Sequence, residues 1–175
     1  RTDRIEPGPA VRDEFNLLVR NVQRVFEAET YQIDIRSRPE QVVQSAFIGF
    51  PGLLYELGLS PQISQKISIK IEVDTNPPLH ASTETSLVRK HVLLNLLHYD
   101  KASLFAGKLH SILNRSYEKG RDVYDLLWYL ADSRWPATNL QLLRSSLLQT
   151  GISAEAEDVA NWRSLLSARM KEMNW

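Results

Sequence analysis

Apolar positions recur at three- and four-residue steps between Ala10 and Thr30, where Phe15, Leu18, Val22, Val25 and Phe26 share one side of a helix of roughly five turns. Ahead of it, Arg1 to Pro9 is polar and punctuated by Pro7, Gly8 and Pro9, the pattern of a lead-in. The period then drops to two. Tyr31, Ile33 and Ile35 alternate with Gln32, Asp34 and Arg36, which predicts a half-buried strand, and Val42 to Phe50 predicts a second. Pro51-Gly52 marks a turn, and Leu53 to Leu59 fits either a strand or a short helix. The cleanest alternation runs from Ile67 to Asp74: Ile67, Ile69, Ile71 and Val73 point one way, and Ser68, Lys70, Glu72 and Asp74 the other. Asn76-Pro77-Pro78 ends it, because proline has no N–H for a sheet ladder. Thr85 to Val88 and Val92 to Leu96 are weaker strand segments.

After Asp100 the helical period takes over almost to the end. Ala102 to Asn114 predicts one helix, closed by a turn from Ser116 to Gly120. A second begins at Arg121 or Asp122 and runs to about Asp132, with an apolar stripe of Val123, Leu126, Leu127 and Leu130, and Trp135-Pro136 breaks it. Thr138 followed by Gln141 reads as a capping box for a third helix, which Gly151 ends near Thr150. Ser153 is placed to cap a last helix whose face carries Val159, Trp162, Leu166, Met170 and Met173. Strands first and helices second predict an α+β architecture, with residues 1–100 an α/β portion and 101–175 a helical one.

Composition narrows the field without choosing a function. The 175 residues suffice for a sizeable core, and 43% hydrophobic with 24% charged residues is ordinary for a globular protein. No apolar run approaches the roughly 20 residues that span a bilayer, and no signal peptide is visible, so a cytoplasmic protein without membrane partners is expected. There is no cysteine, which removes disulfides, thiolate metal sites and cysteine nucleophiles. Twenty-one basic residues balance 21 acidic ones, which argues against holding nucleic acid by bulk charge and leaves only a local basic patch for that purpose.

Three clusters carry candidate chemistry, each with a plainer reading beside it. Glu72 and Asp74, two residues apart on a strand, project side by side and suit a hard cation such as Mg²⁺; equally, they belong to a wet face on which Lys70 pairs with Glu72. Lys108, Ser111 and Arg115 line one side of a helix and would suit phosphate oxygens, or simply mark its solvated side. In Gly120-Arg121-Asp122-Val123-Tyr124-Asp125 the acids lie a turn apart at a helix start. Alone, they read as caps that offset the helix dipole, with Arg121 in reach of Asp125. The four histidines form no metal pattern: His80 is in a loop, His110 turns away from Lys108, and His91 and His98 would share a face only in a helix.

The segment Leu104-Phe105-Ala106-Gly107-Lys108-Leu109-His110-Ser111-Ile112-Leu113-Asn114-Arg115, then Lys119-Gly120-Arg121-Asp122-Val123-Tyr124-Asp125-Leu126-Leu127-Trp128-Tyr129-Leu130, resembles the signature of the AbiEii/AbiGii toxin family, K-L-x-A-L-x-x-R followed by R-D-x-Y-D-L. Upstream, Ile69 to Asp74 followed by Pro77-Pro78 is similar to the strand that precedes that signature. The resemblance implies a polymerase-β-like nucleotidyltransferase portion with a mixed sheet, followed by a helical C-terminal region. It also implies a toxin of bacterial toxin–antitoxin and phage-defence systems that takes a nucleoside triphosphate with Mg²⁺ and transfers nucleotides to RNA, tRNA in characterised relatives. Carried over by position, Lys108 would contact the triphosphate and Asp122 would be the functional acid, with Arg115, Arg121 and Asp125 in support. Asp74, with Glu72 beside it, would be a metal-facing carboxylate.

One departure is evident. The family's Gly-Gly-Ser/Thr turn and its D-x-D pair are absent, and no two aspartates here are separated by a single residue. The first residue is Arg1, so the expectation is a portion of a longer protein, inactive as a transferase by itself. The alternative is a non-catalytic module that engages an antitoxin protein or tRNA, and the neutral net charge favours the protein.

Overall fold

A computed structural model describes residues 9–38, 42–117, 119–152 and 155–172. Within them the chain runs α1 (Pro9–Ala28), β1 (Asp34–Arg38), β2 (Val43–Pro51), α2 (Leu53–Glu56), β3 (Lys66–Asp74), β4 (Thr83–Arg89), β5 (Leu93–Tyr99), α3 (Lys101–Asn114), α4 (Gly120–Ala131), α5 (Leu140–Gln149), α6 (Ala156–Ala160) and α7 (Trp162–Glu172). The class is α+β, as expected. The expected lead-in up to Gly8, the Ser153 cap and Met173 lie outside the described residues. The chain falls into two compact units, Arg1–Pro77 and Pro78–Trp175, divided between the two prolines that come after β3.

In the first unit β2 is the central strand of a β1-β2-β3 sheet, antiparallel at both pairings. A mixed sheet was expected; every pairing among the described residues is antiparallel. The register sets Ile35 against Ile48 and Ala46 against Ile71, so alternate residues of three strands share a face. Helix α1 covers that face with Phe15 and Val19, which pack with Ala46, Ile35, Ile71 and Val73. The buried stripe of α1 is Val11, Phe15 and Val19, whereas Leu18 and Val25, expected inside, are exposed. One small sheet covers a narrower arc of the helix than a face counted by apolar residues alone. Phe26 meets Phe50 edge-on, ring centres 5.0 Å apart, and fixes the helix's far end to β2. Gly49 has no side chain, and Lys66 passes beside it to reach Asp34, Nζ to Oδ2 2.6 Å. The Leu53–Leu59 segment resolves as a one-turn helix entered from Gly52, whose φ of 75° favours glycine.

In the second unit β4 and β5 form a two-stranded antiparallel sheet, Thr83 opposite Tyr99 and Arg89 opposite Leu93. The strand expected at Val92–Leu96 is present and runs from Leu93 to Tyr99, so His91 and His98 share no helical face. The Asp100 side chain then caps α3, accepting from Ser103 N at 2.8 Å. Helices α3, α4, α5, α6 and α7 surround a core built on Ala106, Leu109, Leu143, Leu147, Trp162 and Leu166. Leu109 and Leu143 are wholly buried.

Three expectations are corrected here. Asn139, not Thr138, caps α5: its Oδ1 accepts from Leu142 N at 3.0 Å, while its Nδ2 donates to His80 O at 2.8 Å. Leu127 and Leu130 are exposed, and the inward side of α4 is Asp122, Val123 and Leu126. The single last helix is two, parted at Asn161, although Val159, Trp162 and Leu166 do line the core. Gly151, at φ 78°, ends α5 as its composition suggested. Among the described residues no helix is long and apolar enough to cross a membrane.

Candidate functional site

The signature segment folds into α3, a short turn and α4, and the turn brings its charged residues face to face. Lys108 lies one residue before Leu109 and three after Phe105, so the apolar positions that bury α3 carry its aliphatic stem inward as well. Its side chain is only 17% exposed. Arg115 comes after the last turn of α3 with an extended backbone, φ −76° and ψ 138°, which turns it out of the helix. Its carbonyl accepts from Arg169 Nη2 of α7 at 2.7 Å, so the end of α3 is pinned from behind. Tyr117 lies 5.6 Å from the Arg115 guanidinium carbon, ring centre to Cζ.

Helix α4 supplies the acids. Asp122 is in its first turn, where the helix dipole favours negative charge, and its carboxylate is 6% exposed. The expectation that Asp122 and Asp125 serve as caps is not what the structure has. Lys119 is the N-cap and makes no side-chain cap, while both carboxylates turn toward α3. Lys108 Nζ donates to Asp122 Oδ1 at 2.9 Å and to Asp125 Oδ2 at 2.7 Å. Arg115 Nη1 donates to the other oxygen, Asp122 Oδ2. Two cations and two anions thus form one neutral cluster between two helices.

Burial opposes the charge on Lys108, but the bonds it donates to Asp125 and Asp122 outweigh that and hold the ammonium above its ordinary value. Burial likewise presses Asp122 toward its neutral form, and Lys108 with Arg115 overcomes it and holds the carboxyl below the ordinary range. Both groups are therefore charged at neutral pH. An ammonium has three donors, and two are taken by Asp122 and Asp125. Among the described residues no third partner of the ammonium is recorded.

Among the described residues, the other candidates make no hydrogen bond or ion pair with this cluster. Arg121 is exposed, Asp125 is held by Lys108 instead, and among the described residues Arg121 makes no ion pair. Ser111 Oγ donates back to Gly107 O at 2.9 Å and serves its own helix. Glu72 and Asp74 belong to the first unit, on the polar face of β3. Lys70 Nζ is 2.5 Å from Glu72 Oε1, and Asp74 Oδ1 accepts from Asn76 N at 2.9 Å. One acid is neutralised by lysine and the other shapes a turn, whereas Mg²⁺ asks for an octahedron of oxygens. Among the described residues no three His, Asp or Glu side chains group as a metal site.

The sequence reading missed Arg169, which braces Arg115, and Tyr129, whose hydroxyl lies within the influence of Lys108 and Asp125. Burial raises Tyr129 above its ordinary value first, with the two neighbouring charges acting in opposite directions. Tyr129 stands four residues after Asp125, one helical turn along the same side, and that spacing is a signal the sequence does carry.

The family model described as nucleotidyl transferase AbiEii toxin, type IV TA system, matches residues 4–175. No curated protein and no solved structure matches the chain. A match across essentially the whole sequence places the chain in the AbiEii nucleotidyl transferase toxin family, part of a type IV toxin–antitoxin system.

Proposed function

We propose that this AbiEii-family chain holds a nucleoside triphosphate at the Lys108 cluster and serves transfer of a nucleotide to an RNA acceptor, tRNA in particular. One observation supports the reading: Lys108 is charged, nearly buried, and oriented by Asp122 and Asp125, with no third partner among the described residues. Fixed cations that meet phosphate oxygens without reorganising lower the barrier to a leaving pyrophosphate. Arg115 supplies a second positive group braced through Asp122 and Arg169. Asp122 and Asp125 act as positioning residues, holding the ammonium in place. Nucleotidyl transferases generally use a divalent metal, and here Mg²⁺ would arrive with the triphosphate, which neutralises phosphate charge.

The chain has no D-x-D pair, so it binds the nucleotide without completing transfer by itself. Incubation with tRNA, Mg²⁺ and each α-labelled triphosphate tests this, read as label on the RNA. The expected result is no label; label that disappears in Asp122→Ala would show that this chain catalyses after all.

A second reading, a non-catalytic module gripping an antitoxin protein, is favoured by β4 and β5, where Leu87, Leu93, Leu94, Leu96 and Leu97 are all exposed. Size exclusion with the antitoxin and with tRNA separates the two partners. If neither comigrates, this reading falls.

A further inference from the structure

Strand β3 is nine residues long and, among the described residues, pairs only with β2, so its outer side is an open sheet edge. Such an edge offers a row of backbone donors and acceptors to another extended segment, and natural proteins blunt it with short strands, proline, bulges or charge. β3 has no proline and no bulge: its register with β2 runs unbroken from Lys66 to Asp74. It does carry charge on its polar face, but of both signs, with Lys70 and Glu72 two residues apart. Mixed charges repel a neighbouring strand only in registers that set like against like.

The apolar face of β3 is half covered. Ile71 and Val73 pack with Phe15 and Val19 of α1, whereas Ile67 and Ile69 are 37% and 48% exposed. A strand added at this edge would extend the apolar face past them.

We infer that β3 pairs edge to edge with β3 of a second copy of this chain, antiparallel about a two-fold axis at Ile71. That register sets Lys70 of each copy opposite Glu72 of the other, Ser68 opposite Asp74 and Ile69 opposite Val73. Each cation meets an acid, and each exposed Ile69 gains an apolar neighbour on its own face. Within one copy Lys70 and Glu72 already lie 2.5 Å apart, so the pairing sets two such ion pairs side by side with their signs alternating. Other centres fit less well. An axis at Lys70 or at Glu72 sets that charge on its own copy, and an axis at Ile69 sets Glu72 against Lys66, which Asp34 already holds at 2.6 Å. The opposite edge, β1, offers five residues.

Sedimentation velocity on the full chain, in a concentration series up to about 100 μM, reads the pairing as a monomer–dimer equilibrium. Lys70→Glu brings acid against acid at both symmetric positions, and Glu72→Lys brings cation against cation. Each should weaken the dimer by on the order of tenfold. The double variant should regain the wild-type dimer, and so should an equimolar mixture of the two single variants, because each supplies the charge that the other needs. Both side chains are exposed, so the melting curves should match the wild type; if a single variant fails to fold, the double variant decides. A wild type that stays monomeric through the series overturns the inference. A dimer that both single variants leave at full strength also overturns it, since the contact would then be elsewhere. So does a dimer that the single variants weaken and the double variant does not restore, because Lys70 and Glu72 would then not face each other.

Discussion

Asp122→Asn removes one charge and little else, which makes it the sharpest probe of the cluster. The wild-type carboxylate accepts from Lys108 at Oδ1 and from Arg115 at Oδ2. An amide keeps one acceptor and replaces the other with a donor, so one of the two cations then faces an N–H. The cluster also passes from neutral to a net positive charge. Breaking a buried pair by removing one partner costs about 3–5 kcal/mol. Lys108 keeps Asp125, and the Arg115 side chain is 30% exposed, so the lower end, about 3 kcal/mol, is expected. For a chain of this length that lowers the melting temperature by roughly 6–12 °C.

The pH dependence of that loss is fixed by the direction of the Asp122 shift. Its folded carboxyl is held below the ordinary value of 3.8, so the stabilisation is complete above that pH and fades as pH falls through the lower folded value. Thermal melts of wild type and Asp122→Asn, monitored by circular dichroism between pH 7 and pH 3, should show a gap that is wide at neutral pH and narrows in acid. A gap under about 2 °C at pH 7, below what even 1 kcal/mol would give, refutes the argument that the cluster holds α3 to α4.

The same physics sets three further outcomes. The Lys108 ammonium is held above its ordinary value of 10.5, so its contribution is complete below that pH and fades as pH rises through the higher folded value; wild type should destabilise more steeply than Lys108→Met in melts taken between pH 9 and pH 11.5. Leu109 is fully buried in the helical core, and Leu109→Ala should cost about 2–5 kcal/mol by urea unfolding, with a cost under 1 kcal/mol contradicting the packing. Asn139→Ala removes the α5 cap and the bond to His80 O, and should cost about 1–2 kcal/mol in the same assay, whereas Thr138→Ala, which removes no cap, should not match it through loss of α5 helicity.

Features set by a local period were plain in the sequence. β3 and α3 were readable to within a residue because alternation and helical spacing are properties of the strand and helix themselves. Where burial depends on a neighbour, the sequence was a poorer guide. Leu127 and Leu130 have helical spacing, yet α4 turns its acidic side inward because Lys108 and Arg115 wait there on another element. The α5 cap fell one residue past the expected Thr138 because Asn139 also reaches back to His80 O, a contact 59 residues away. The candidate site shows the same division. The resemblance selected Lys108, Arg115, Asp122 and Asp125 together, but not that the lysine would bridge both acids, since that pairing spans 14 and 17 residues across a turn. Arg121 carries the signature's pattern and yet stays out of the cluster, because its position at the start of α4 faces solvent.

Nucleotide binding at the Lys108 cluster is tested most directly by calorimetric titration of the chain with each nucleoside triphosphate in the presence of Mg²⁺, repeated with Lys108→Ala. Binding of at least one triphosphate that weakens at least tenfold in the variant, while the variant keeps a folded spectrum, is the result expected if the Lys108 ammonium meets phosphate. Triphosphate binding of equal strength in both proteins, or none in the wild type, would contradict the claim that this cluster is where the nucleotide is held.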